Sequence, residues 1–179
     1  MRLLKPDWPA PANVVAYSTT RDGGVSQAPY ASLNLGLHVN DNAEQVLTNR
    51  ALLKREIGLI NEPFWLDQVH STTVLQLSHG RTDLPVADGS WTDQAGLACI
   101  VMTADCLPVL ITDKQGSFVA AVHAGWRGLC GGILQQAIAQ APAKSEDVLV
   151  WLGPAIGPTA FQVGTEVREA FIQGNAKCA

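Results

Sequence analysis

The sequence predicts an α/β protein of the mixed α+β kind, with layered mixed β-sheets and helices outside them, and three observations lead there. Short β-rich or apolar runs recur along the chain, helix-period segments are interspersed with them, and two of the strand pairs read as hairpins rather than as steps of a parallel βαβ series. At 179 residues, 47% hydrophobic and 16% charged, the chain suits a single domain over residues 1–179 that buries roughly two-thirds of its unfolded surface. No internal repeat or low-complexity tract divides it.

Residues 14–19 (Val-Val-Ala-Tyr-Ser-Thr) follow a proline-punctuated entry and read as a first strand, closed by the glycine turn of Arg21-Asp22-Gly23-Gly24-Val25-Ser26. Asn42 followed by Gln45 marks a helix start. Val46, Leu47, Leu52, Leu53 and Ile57 then keep helical spacing until Gly58, predicting a helix lying on a sheet. Residues 64–70 and 73–77 are strand candidates, and residues 78–89 a polar connection. The apolar run at 97–102 is short enough to be a strand buried on both faces. Residues 107–112 and 118–122 flank Asp113-Lys114-Gln115-Gly116, a hairpin signal. Residues 129–141 predict one helix with Leu129, Ile133, Leu134, Ala137 and Ile138 on a face, residues 148–152 a buried strand, and residues 165–173 a last short helix.

A net charge of −4 provides no broad basic field for nucleic acid or anionic membrane, so neither is expected as a partner. Pro6, Asp7 and Pro9 interrupt the N-terminus before a signal-peptide core can form, and no run reaches the roughly 18 apolar residues of a membrane span. A cytoplasmic protein with reduced Cys99, Cys106, Cys130 and Cys178 is expected. The absence of any CxxC pair argues against a zinc ribbon.

The chemistry concentrates around the predicted hairpin. Cys106 and His123 stand at its two open ends. With a two-residue loop at Lys114-Gln115, Cys106 faces His123 directly; a type I turn with a glycine bulge instead moves the register by one and requires Cys106 to leave its strand. His70 offers a third donor. One thiolate and two imidazoles make a three-ligand zinc site with an open fourth position, the arrangement of catalytic zinc. The separations, 36 residues from His70 to Cys106 and 17 from there to His123, match no local metal motif. Other readings stand beside it: a core cysteine with hydrogen-bonded histidines, a metal-free Cys–His nucleophile pair of a hydrolase, or a copper site with Met102 as axial ligand. The histidines are only His38, His70, His79 and His123, too few for a multicopper centre.

After His123 the run Ala124-Gly125-Trp126-Arg127-Gly128 opens a helix, and Arg127 is a candidate clamp for phosphate or carboxylate, although the glycines equally serve a tight turn. Gly153-Pro154-Ala155-Ile156-Gly157-Pro158 reads as a rigid turn at a strand end. Arg21 and Asn34, in loops, are candidate substrate-binding groups; His38 and His79 read as surface residues.

Six ordered blocks together resemble the YfiH-like family, known as polyphenol oxidase or laccase-domain proteins and as purine nucleoside phosphorylases. They are Thr19-Thr20-Arg21-Asp22-Gly23-Gly24-Val25-Ser26, Ser32-Leu33-Asn34-Leu35-Gly36, Asp67-Gln68-Val69-His70, Thr103-Ala104-Asp105-Cys106-Leu107-Pro108, His123-Ala124-Gly125-Trp126-Arg127-Gly128 and Gly153-Pro154-Ala155-Ile156-Gly157-Pro158. The resemblance implies a layered α/β fold and a zinc-binding catalytic trio of His70, Cys106 and His123. It further implies phosphorolysis of adenosine, inosine and methylthioadenosine, with adenosine deamination beside it; purine nucleoside and phosphate are then the partners, and copper-dependent oxidation the alternative. Members of the family run on past Gln173-Gly174-Asn175-Ala176-Lys177-Cys178-Ala179, which implies a C-terminally short chain that could hold zinc without turnover.

Overall fold

The computed structural model describes residues 1–80 and 84–174; residues 81–83 of the polar connection and the tail from 175 lie outside the described residues. Its contacts divide into two compact units, Met1–Asp7 with Val15–Pro63, and Trp8–Val14 with the chain from Phe64 onward.

In the first unit, β1 (Leu3–Leu4) pairs antiparallel with β2 (Ser18–Thr19), so only the end of the expected 14–19 strand enters a ladder. The helix α1 (Ala43–Glu56) begins where the sequence places it. Asn42 Oδ1 accepts the amides of Glu44 and Gln45 at 2.9 and 3.1 Å, satisfying two of the free N–H groups of the first turn. Its buried stripe is Val46, Asn49 and Leu53, while Leu47 is 54% exposed. The expected apolar face is thus replaced by one with a polar centre. Asn49, fully buried, accepts the Val25 amide and donates to Ser26 Oγ and to the Ser32 and Asn34 carbonyls, so α1 is fastened to loop backbone rather than laid on a strand.

The second unit is built on a five-stranded mixed sheet. Its strands are β3 (Val74–Gln76), β4 (Gly89–Thr92), β5 (Leu107–Asp113), β6 (Val119–Ala124) and β7 (Val148–Leu152), in the order β3-β4-β6-β5-β7. Only β3 and β4 run parallel; the other pairs are antiparallel. The core gathers Val74, Trp91, Val109, Ile111, Phe118, Val122 and Ile133 beneath two helices, α2 (Trp126–Gly131) and α3 (Ile133–Gln140). Phe118, 2% exposed, and the apolar residues of β5 and β6 supply the main burial driving force, about 1.5–3 kcal/mol for each large side chain. A final helix α4 (Thr165–Gly174) ends the described chain.

Several expectations are corrected here. The single helix over 129–141 is two helices, because Gly132 takes a left-handed conformation (φ 91°) and ends α2 through bonds back to Gly128 and Leu129. The run 97–102 forms no strand; it is half-buried and makes one isolated bridge, Cys99 to Phe64. Residues 64–70 likewise make only isolated bridges. β7 is an edge strand with Val150 and Leu152 exposed, not a buried one. β4 was unexpected: Gly89-Ser90-Trp91-Thr92 carries a weak propensity pattern but sits fully buried between β3 and β6.

Candidate metal centre

The β5–β6 ladder starts at Leu107 opposite Ala124 and Pro108 opposite His123. The register is offset by two residues from the two-residue loop and by one from the bulged turn, so both expected alignments are corrected. The cause lies at the turn. Gly116 takes φ 64° and donates to the Asp113 carbonyl, Asp113 captures the Ser117 amide with its carboxylate, and Thr112 Oγ1 donates to the Phe118 carbonyl, extending the loop. An offset of two keeps the parity of side chains where an offset of one reverses it. Cys106, one residue before the ladder, therefore stays on the side of His123 and lies diagonal to it.

His70, Cys106 and His123 come together in the second unit, their ligand atoms all within 4.8 Å of one another. His123 is buried on β6, Cys106 is half-buried, and His70 is exposed. The two imidazole rings meet edge to face at 4.8 Å between centroids. Gly125 forms the floor beneath all three. A Cβ at that position would lie 2.9 Å from His70 Cδ2, 3.1 Å from Cys106 Sγ and 3.6 Å from His123 Cε1. Only a residue without a side chain leaves this space.

Three polar devices bring these distant segments into place. The Gln68 side-chain amide donates to the Met102 carbonyl at 2.8 Å and accepts its amide at 2.7 Å, imitating one rung of a ladder between the segments that carry His70 and Cys106. The Ile156 amide donates to the Asp105 carbonyl and the Gly153 amide to that of Pro108, so the Gly-Pro turn after β7 braces the bend at Cys106. The third device is Asp88, which lies within the expected polar connection of residues 78–89. Its buried carboxylate accepts His123 Nδ1 at 2.9 Å, the amides of Val69, His70 and Ser71, and the Ser71 hydroxyl. The sequence signal available for it was weak: one aspartate immediately before a glycine.

Electrostatics follow from the same contacts. Burial pushes the Asp88 carboxyl up, but hydrogen bonds from His123, Ser71 and His70 outweigh it and hold the group below the usual carboxylate range. Burial, then the charge and hydrogen bond of Asp105, and then the charge of Asp88, push the Cys106 thiol up. Such a thiol is a poor free nucleophile at neutral pH. A nearby cation reverses that balance by stabilising the thiolate, so the donor set, the clearance at Gly125 and the negative surroundings all fit a metal ion.

The other predicted residues have separate places. Arg127 is exposed on α2, its guanidinium 4.3 Å from the centroid of the Trp126 ring. Arg21 and Asn34 belong to the first unit. There the Arg21 guanidinium donates to the Ala31 carbonyl, while Asn34 donates to the Asp41 carboxylate and accepts the Gly36 amide. His38 and His79 are exposed and outside the trio. No helix among the described residues is long and apolar enough to cross a membrane.

A family model described as multi-copper polyphenol oxidoreductase laccase matches residues 15–179. The purine nucleoside phosphorylase of Haemophilus influenzae is 52% identical over 172 residues, covering 96% of this chain and 70% of that protein. The purine nucleoside phosphorylase YfiH of Escherichia coli is 50% identical over 178 residues, covering 99% of this chain and 73% of that protein. Among solved structures, a Neisseria meningitidis protein superposes with a TM-score of 0.93 at 49% identity, covering 98% of this chain and 72% of its own. YlmD of Geobacillus stearothermophilus gives 0.80 at 31% identity, covering 94% and 70%. With relatives near 50% identical along almost its whole length, and strands and helices arranged as theirs are, the chain belongs to the YfiH-like, laccase-type family.

Proposed function

We propose that the chain is a zinc-dependent purine nucleoside phosphorylase in which His70, Cys106 and His123 hold the metal and inorganic phosphate is the second substrate. Adenosine, inosine and methylthioadenosine are the nucleosides it would take. The observation that carries the reading is the convergence of one sulfur and two imidazole donors within 4.8 Å above a glycine floor. Relatives named purine nucleoside phosphorylase at 50–52% identity support the reaction.

Zinc, when bound, supplies a Lewis acid with an exchangeable position. The remaining work falls to the chain's own groups. Arg127, exposed two residues after Gly125, would pair with two phosphate oxygens through its planar fork. Its stack on Trp126 holds the guanidinium plane before the anion arrives. Phosphate would add at the nucleoside C1′ while the bond to the base nitrogen breaks; the base leaves with that electron pair and takes up a proton, from solvent or the phosphate, giving free purine and the 1-phosphate of the sugar (ribose 1-phosphate from adenosine or inosine, its 5-methylthio analogue from methylthioadenosine). Arg21 and Asn34 serve the framework of their own loops, and the proposal assigns phosphate to Arg127.

Two alternatives fare less well. A metal-free Cys–His hydrolase needs a readily ionised thiol, whereas burial and Asp105 push Cys106 the other way. Multi-copper oxidase chemistry needs more imidazoles than the described residues gather, since the trio contributes two. The test is incubation of the zinc-loaded protein with adenosine, with and without phosphate. Adenine and ribose 1-phosphate in the phosphate sample alone support the proposal. Inosine and ammonia in both would assign adenosine deamination to the trio instead, and no product in either would sink the enzymatic reading.

A further inference from the structure

We propose that Asp88 is a positioning residue that sets both imidazoles of the trio at once, fixing which nitrogen of His123 faces the metal and which backbone conformation presents His70. The proposal rests on the metal-binding reading of the trio. It makes one buried carboxylate, outside the donor set, responsible for the geometry of two donors.

The hydrogen bonds divide between the two carboxylate oxygens. Oδ1 accepts the His70 amide and His123 Nδ1, both at 2.9 Å. Oδ2 accepts the amides of Val69 at 3.2 Å and Ser71 at 2.6 Å, together with Ser71 Oγ at 2.8 Å. An ionised carboxylate only accepts, so His123 Nδ1 must carry the hydrogen and Nε2 is left bare as the ligand atom. The Asp88 carbonyl also takes the His123 amide at 2.7 Å, gripping the same residue at backbone and ring.

On the other side, three successive amides turn towards one anion, which is an anion nest formed by residues 69–71. Such a curl needs a left-handed residue, and His70 is the one non-glycine residue at positive φ among those described (61°). The strained conformation is retained because the Asp88 carboxylate satisfies the three amides it brings together. His70 then projects from the rim of the nest, while His123 projects from the strand beside it.

Asp88→Asn tests this because an amide cannot satisfy both sides. Whichever way it turns, its NH2 group meets an amide donor, either His70 on one side or Val69 and Ser71 on the other. Facing His123, the NH2 would also donate to Nδ1 and move the ring hydrogen to Nε2, where it blocks ligation. In ¹⁵N-labelled protein stripped of metal at pH 8, His123 of the unaltered chain should be protonated on Nδ1 with Nε2 bare. D88N should show the reverse tautomer or a mixture where the NH2 faces His123, and where it faces Val69 and Ser71 their amide resonances should shift instead. Zinc affinity, read by competition with a chromophoric chelator, should fall about 10–100-fold in D88N relative to the unaltered protein.

A bare Nδ1 in the unaltered protein, or unchanged zinc affinity in folded D88N, would overturn the proposal. If the unaltered protein takes up no zinc, the metal reading fails while the tautomer measurement still decides the role of Asp88. If D88N does not fold, the spectrum of the unaltered protein decides alone.

Discussion

Replacing Gly125 by alanine adds one methyl group at a point where all three donors meet. Gly125 has φ −60° and ψ 157°, a conformation open to any residue, so the backbone accepts the change and the effect is steric. The new Cβ would lie 2.9 Å from His70 Cδ2 and 3.1 Å from Cys106 Sγ. Carbon atoms in contact settle at about 3.5–4.0 Å, so the imidazole must retreat by roughly 0.6–1 Å and the sulfur by a similar amount. Metal sites hold ligand distances to within about 0.2 Å, so a displacement of this size should weaken zinc binding at least about tenfold. Stability falls by at most about 2.6 kcal/mol, since an overpacking cost of about 1–3 kcal/mol is set against about 0.4–1 kcal/mol gained from a less flexible unfolded chain. The assay pairs a chelator-competition titration with calorimetric unfolding of the metal-free protein. G125A binding zinc within about twofold of the unaltered chain would refute the placement of Gly125 beneath the donors.

Three further outcomes are expected. Asp88, its carboxyl held below the ordinary value, contributes stability that is present above about pH 4 and lost as pH falls through its depressed folded-state value; urea midpoints between pH 2 and 5 should therefore fall less steeply in D88N. Asn49→Ala, which orphans the Val25 amide and the Asn34 carbonyl and takes one of two donors from the Ser32 carbonyl inside the first unit, should cost about 3 kcal/mol in urea unfolding, and a loss below about 1 kcal/mol would contradict that network. Burial pushes the Cys99 thiol up to about 12, so alkylation mapped by peptide mass at pH 8 should leave Cys99 unmodified in the folded protein and reach it only after unfolding.

Features set by neighbouring residues are legible in the sequence. Asn42 and Gly58 bound α1 because capping is a matter of a few adjacent residues. Asp113 and Gly116 mark the β5–β6 connection for the same reason, and the apolar continuity of β5 and β6 places them in the core. Elements whose stabilising partner lies far along the chain are not legible in this way. The run 97–102 has strand composition, yet its ladder is replaced by a bridge to Phe64 and the Gln68 clamp on Met102, 34 residues away in sequence. β4 has poor composition and is nevertheless a strand, because burial between β3 and β6 overrides propensity.

The candidate site divides along the same line. From the residues alone came the three donor types and a hairpin that brings Cys106 near His123, whereas the strand expected to end at His70 is absent. Tertiary structure decided the offset of two that keeps those side chains on one side, the vacancy left by Gly125, and the left-handed turn at His70. It also decided that Asp88, 35 residues before His123, is the group joining them. Donor identity is a local property of side chains. Their mutual geometry depends on buried hydrogen bonds between segments that no sequence window contains together.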